Sequence, residues 1–164
     1  MGEPSGTRRP GGDPPSRLAG DPPSPLAGDP PSRLAGDPPS PWEGVYGYSR
    51  VAVAGPWVLI GGTTSVDPSG YVVGVTPYEQ AAEVFRKLLH ELARVGLGAG
   101  DVVSVRMYVT DISRGDEVGR AHGEVFGALP GGGPVATMVE VAALIDPRML
   151  VEIELIAYRE PAVG

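Results

Sequence analysis

The chain has 164 residues, a formal net charge of −7, no cysteine, two histidines, and 25 glycines beside 19 prolines. Eleven of those prolines fall in the first 40 residues, where four arginines face five acidic residues; the remainder carries nine basic against 15 acidic groups. A body this acidic, with no basic stripe, repels a phosphate backbone, and a cysteine-free chain has neither disulfides nor thiolate metal sites. 

No apolar run reaches the roughly 18 residues that span a bilayer, so no membrane partner is expected. Arg8 and Arg9 have no apolar stretch behind them, which argues against a secretory signal and for a cytoplasmic location.

Residues 1–40 are built on an octapeptide: Gly12–Ala19 (GDPPSRLA), Gly20–Ala27 (GDPPSPLA), Gly28–Ala35 (GDPPSRLA), and a truncated Gly36–Ser40. Each unit brings one Leu and one Ala, too little apolar area to offset the entropy of ordering it. Paired prolines favour extended polyproline II broken by glycine. The segment reads as a disordered tail, and residues 41–160 as one folded domain. A proline-rich ligand for another domain is the weaker alternative, since no basic residue is placed consistently beside the proline pairs.

Tyr46–Ala54 and Trp57–Gly62 read as strands joined at Gly55-Pro56, a hairpin signal. Asp67-Pro68-Ser69-Gly70 is a further turn before a short strand at Tyr71–Val73. Thr76, Pro77 and Glu79 then open a helix as N-cap, first-turn proline and capping box. The helix extends to about Val95 and stops at Gly96. Ala81, Phe85, Leu88, Leu92 and Val95 form its apolar face, with Glu83, Lys87, His90 and Arg94 opposite. On that geometry His90 is a surface residue.

Asp101–Thr110 alternates as a strand, with Ser104, Arg106, Tyr108 and Thr110 on its polar side. Arg106 sits mid-strand, so it needs an acidic partner or a wet cleft. Ser113 and Asp116 open a second helix with Val118, Ala121, Val125 and Phe126 on its apolar face. Gly119, Gly123 and Gly127 recur every four residues on that helix and are expected to allow close packing on a sheet. His122, at the edge of the face, reads as a packed side chain. The loop Leu129–Pro134 lacks the Gly-Lys-Ser/Thr ending of a phosphate loop, which argues against nucleotide binding.

Pro134–Ala143 and Leu150–Tyr158 alternate at the strand period, and each is expected to bury one face. The turn at Asp146-Pro147 lets the second strand follow the first. Glu152 and Glu154 share one face of that strand, opposite Val151, Ile153 and Leu155. Two carboxylates in an apolar run either line a solvated face or build a polar site. The element order gives an α+β domain with two helices packed on one face of a mixed sheet.

These residues in this order resemble the Rid family, also called RidA/YjgF and labelled endoribonuclease L-PSP. The resemblance covers nearly all of residues 44–159. It rests on Gly47-Tyr48-Ser49, Leu59–Thr63, Gln80, Val102–Asp111, Pro134–Val141 and Val151–Ala157. It implies a chorismate mutase-like subunit of a barrel-cored homotrimer with ligand clefts between neighbouring chains. The implied activity is hydrolysis of reactive imines and enamines, such as 2-aminoacrylate, to keto acids and ammonia, with no metal or organic cofactor. By resemblance Tyr48 and Phe126 line the cleft, Gly62 brings backbone close to the ligand, and Glu152 positions the attacking water. Glu154 is then the structural member of the pair.

Three positions depart from the family pattern. Ala136 stands where deaminating members carry an arginine, Gly61 replaces a serine, and Met138 occupies a position often held by cysteine. A guanidinium there grips the substrate carboxylate in a bidentate pair, so its loss points to a different substrate. Arg106 and Arg50 are the candidates to stand in for it. The first expectation is therefore a Rid-type imine or enamine deaminase with altered substrate. The second is a regulatory trimer that binds a small ligand, an imine or keto acid, without chemistry. A ribonuclease ranks last, because the acidic body offers no phosphate-binding surface and no paired histidines.

Overall fold

A computed structural model describes residues 30–159. They form a six-stranded mixed sheet with helices on one face. The strands are β1 (Ser32–Leu34), β2 (Val51–Ala54), β3 (Trp57–Thr63), β4 (Val102–Val109), β5 (Val135–Glu140) and β6 (Val151–Tyr158). The helices are α1 (Pro41–Tyr46), α2 (Pro77–Arg94) and α3 (Gly115–Phe126). The spatial order is β1-β2-β3-β6-β4-β5, antiparallel except for the parallel pair β4–β5. No helix among the described residues is long and apolar enough to cross a membrane.

Alternation explains the core. Val151, Ile153, Leu155 and Ala157 of β6 and Val105, Met107 and Val109 of β4 are buried on the helix side. They meet Ala81, Val84, Phe85, Leu88 and Leu92 of α2 and Val118, Ala121 and Phe126 of α3 in one cluster. Phe85 and Phe126 pack edge to face at 5.7 Å, a geometry that adds to the area they bury. Helix α2 starts as its sequence predicts, with the reciprocal Thr76–Glu79 capping box, and ends before Gly96 at φ 75°. The β2–β3 hairpin turns at Gly55-Pro56, with Gly55 at φ 59°.

Several expectations are corrected. Strand β2 begins at Val51, because Ser40 and Glu43 form a capping box that winds Pro41–Tyr46 into α1. Tyr71–Val73 contributes only an isolated bridge, Val66 to Val72. Asp111, not Ser113, accepts the capping hydrogen bond before α3, which starts at Gly115. Gly119 and Gly123 face open space rather than the sheet. Lys87 is not on a solvated stripe: its Nζ donates to the carbonyls of Thr64 and Val66, at 2.8 and 2.7 Å. A long aliphatic stem lets a lysine reach across partly buried ground.

The tail boundary also moves. Residues 32–40 do not belong to a tail, because β1 pairs antiparallel with β2 and the following residues hydrogen-bond to α1 and α2. The first two octapeptides and the start of the third, up to residue 29, lie outside the described residues.

The largest correction concerns the expectation that both C-terminal strands bury one face. Strands β5 and β6 are separated in the sheet by β4. Strand β6 is central, whereas β5 is an edge strand whose residues are exposed on both faces, Met138 alone being half-buried.

Candidate active site

Strand β3 carries one extra residue opposite β6. Ile60 pairs with Leu155 and Thr63 with Ile153, so Gly61 and Gly62 form a bulge. Such a bulge bends the strand and frees backbone for a ligand. Glu152 lies over it: a Cβ placed on Gly62 would stand 2.2 Å from Glu152 Oε1. Glycine at 62 is therefore what leaves room for the carboxylate.

Glu152 is half-buried, and burial pushes its carboxyl above the usual range. The Arg50 guanidinium pulls in the opposite direction, and Glu154 adds to the rise. Among the described residues Glu152 accepts no hydrogen bond, so its oxygens are free for water or a ligand. Its neighbours are committed. Glu154 accepts from Arg106 at 2.9 Å and from the Tyr108 hydroxyl at 3.3 Å. Glu43 accepts from the backbone of Gly36 and Ser40.

Arg50 sits opposite Gly61, whose N–H donates to the Arg50 carbonyl. Its Nη1 donates to the Gly62 carbonyl at 2.6 Å and to Thr63 Oγ1 at 3.1 Å, and Nε is 3.9 Å from Glu43. Tyr48 lies beside the guanidinium, 5.8 Å from ring centroid to Cζ, and its hydroxyl donates to Ser40 Oγ. Tyr48, Arg50, Gly61, Gly62 and Glu152 thus form one contiguous half-site with a positive and a negative group.

The remaining candidates stand elsewhere. Phe126 does not line a cleft: it is 1% exposed, packed between Phe85 and His122 in the core. Ala136 and Met138 pair with Val105 and Met107, which puts them on the helix side of the sheet. Glu152 pairs with Tyr108, and Tyr108 with Val139, on the other side. A single chain therefore does not bring Ala136 or Met138 to Glu152. Met138 instead packs toward Gly115. Arg106 has the acidic partner its strand position calls for, Glu154, and lies along the open face. Its guanidinium is engaged there rather than at Glu152.

The two histidines are far apart in role. His90 is exposed, 3.4 Å from the Asp37 carboxylate. His122 packs edge-on to Phe85 and tilted against Phe126, and burial pushes its pKa down. The residue underrated from sequence is Arg50. Its only signal is adjacency to Tyr48-Ser49, whereas its contacts arise from the bulge. No group of three or more metal-binding side chains occurs among the described residues.

The fold and this half-site define a small α+β protein built on a glycine bulge facing a free carboxylate. The family described as Endoribonuclease L-PSP matches residues 41–159, and the chain belongs to that family, the YjgF/Rid group. The solved structure of Rv2704 from Mycobacterium tuberculosis, a YjgF/YER057c/UK114 family member, is similar at 40% identity and a TM-score of 0.67. That match covers 78% of this chain and 98% of the other. The uncharacterized protein SCO2049 of Streptomyces coelicolor is 37% identical over 119 residues, 73% of this chain and 87% of the relative. The RutC family protein PH0854 of Pyrococcus horikoshii is 31% identical over 114 residues, 69% and 87% of the two chains.

Proposed function

We propose that the protein is a hydrolytic deaminase of reactive imines or enamines, working as a homotrimer without a cofactor. The observation that carries this is Glu152, a half-buried carboxylate with a raised pKa and no hydrogen-bond partner among the described residues. Addition of water to a C=N carbon needs a base that takes the water proton and later returns it to the departing nitrogen. Glu152 takes a proton from water as its oxygen bonds to the imine carbon. The same carboxylic acid returns that proton to the nitrogen. The resulting carbinolamine collapses as its hydroxyl proton passes through Glu152 to the amino group, so that the C–N bond breaks, the carbonyl forms and ammonia leaves. Arg50, fixed on Gly62 O and Thr63 Oγ1, supplies a positive group that stabilises the ionised Glu152.

The trimer enters because β5 is apolar yet exposed, with Val135 at 73% and Val139 at 43%. An exposed edge strand of this kind is normally covered. A neighbouring chain's β5 would bring Ala136 and Met138 to the half-site around Glu152. There, an alanine in place of a guanidinium leaves an apolar, roomier wall, suited to substrates without a carboxylate to clamp.

The second reading, a ligand-binding trimer without chemistry, is favoured by Ala136 itself. Ribonuclease action is disfavoured: His122 is half-buried against Phe85 and Phe126, and His90 is paired with Asp37.

The test is ammonia release when a dehydratase generates 2-aminoacrylate or 2-iminobutyrate in place, with the wild type, Glu152→Gln and Ala136→Arg. Wild-type activity that vanishes in Glu152→Gln supports the deaminase. A silent wild type with activity gained by Ala136→Arg supports an intact water site that takes other imines. Silence of all three, with keto-acid binding retained, leaves the ligand-binding trimer.

A further inference from the structure

The sheet edge beside β2 holds a peptide whose sequence the chain carries twice. Ser32–Pro39 (SRLAGDPP) is seated by contacts along its length. Ser32, Arg33 and Leu34 pair with Val53, Ala52 and Val51, and Leu34 packs against the core. Arg94 Nη1 donates to the Ala35 carbonyl at 2.9 Å. The Gly36 N–H donates to the Glu43 carboxylate at 3.0 Å, and the Asp37 N–H to Glu91 Oε1 at 2.8 Å. His90 stands 3.4 Å from the Asp37 carboxylate. Gly36 sits in a tight place: a Cβ there would meet Glu43 Oε1 at 3.0 Å and the Pro38 carbonyl at 3.2 Å, so a larger side chain crowds both. Glu91 is only 6% exposed and also accepts from Arg94 Nη1 at 2.6 Å, so the two α2 side chains that meet the peptide hold each other in place.

This is recognition by β-strand addition, with backbone pairing for affinity and a few side chains for register. Everything the slot reads belongs to the octapeptide itself. Residues Ser16–Pro23 repeat SRLAGDPP without a single difference, whereas Ser24–Pro31 places Pro25 where Arg33 stands. A proline in mid-strand removes a backbone donor, which makes the middle copy the poorer ligand.

We infer that this edge is a binding site for the repeat peptide, and that Ser16–Pro23 of the same chain is its second ligand. The chain then exchanges between two registers 16 residues apart, with residues 24–39 looped out in the slipped one. Loop closure grows only logarithmically with length, and a short tether holds the second copy at an effective concentration of about millimolar. That favours the same chain over a neighbour in dilute solution. Ser40 stays in place as the α1 cap in both registers, so the helix next to Tyr48 is kept.

The absence of cysteine from the chain makes the test clean. Arg33 and Ala52 are direct partners, and antiparallel partners stand within disulfide reach. Arg17→Cys with Ala52→Cys therefore reports the slipped register, and Arg9→Cys with Ala52→Cys reports mere tethering. Both are oxidised in the full-length protein at low concentration, alone and with Gly36→Val, which disables the resident copy. The expected result is a disulfide within one chain that forms about tenfold faster from position 17 than from position 9, a difference set by specific docking over tether collision. Gly36→Val should widen the gap. Equal rates from positions 17 and 9 in both backgrounds would overturn the inference, as would a disulfide found only between chains. Because the unmodified background is scored too, misfolding caused by Gly36→Val cannot hide a negative result.

Discussion

Strands β5 and β6 look alike in sequence and are opposites in the structure. Both alternate apolar residues, yet β6 buries Val151, Ile153, Leu155 and Ala157 between β3 and β4, while β5 lies at the edge with Val135 and Val139 exposed. A period of two says that a strand has a face to cover, and not what covers it. For β6 the cover is α2 and α3 of its own chain. For β5 no such cover occurs among the described residues, and under the proposed trimer it is a second copy. The division runs through the candidate site as well, since Glu152 and Gly62 belong to the self-sufficient region and Ala136 and Met138 to the incomplete one.

The largest effect should come from the β6 side. Glu152→Gln keeps the shape and removes the proton acceptor, so deaminase activity should fall by about 10²–10⁴-fold, the usual worth of a general base. Steady-state ammonia release measures it. Activity within a few-fold of wild type would remove Glu152 from the chemistry and leave the half-site a binding surface.

Stability should separate the strands next. Ile153→Ala opens a cavity in the packed core and should cost about 2–5 kcal/mol. Val139→Ala, on a surface position, should cost less than about 0.5 kcal/mol in a dissociated chain. Urea unfolding at low and high protein concentration checks both. A Val139→Ala cost that grows with concentration is the signature of β5 being covered by a second copy. A cost that is large at every concentration would break the comparison.

Gly62→Ala sharpens the site. The added methyl collides with Glu152 Oε1, the far end of a side chain that can swing away. The fold should survive with a loss of about 1 kcal/mol or less, while misplacing the base should lower activity by tens of fold, about 10²-fold at most. Thermal melting and the ammonia assay on the same sample separate the two effects.

What could be read in the sequence follows the same division. The capping box at Thr76–Glu79 and the alternation of β4 and β6 are local signals, and the structure keeps them. The Ser40–Glu43 box is as local, but proline-rich surroundings masked it as tail. Strand order is a non-local property, which is why β4 could intervene between two segments joined by one turn. Tyr48, Gly62 and Glu152 were legible by resemblance. The place of Arg50 was not, because it depends on a one-residue bulge that no periodicity marks. Phe126 failed for a physical reason: a phenylalanine on the apolar face of α3 is drawn into the core with Phe85.

The smallest effect is one of pH, and its sign is fixed by burial. The Glu152 carboxyl is pushed upward, so the folded state holds its proton more tightly than the unfolded chain does. Its stabilising contribution is therefore full below the unfolded carboxyl pKa of about 4.3 and is lost as pH rises through the folded value. Glu152→Gln escapes that loss. Its melting temperature should match the wild type near pH 4 and exceed it slightly at neutral pH, even though the variant is inactive. Melting curves from acid to neutral pH decide the matter. A variant that is less stable than wild type at neutral pH would mean that Glu152 is satisfied by a partner, and that its carboxylate is structural rather than held free for a substrate.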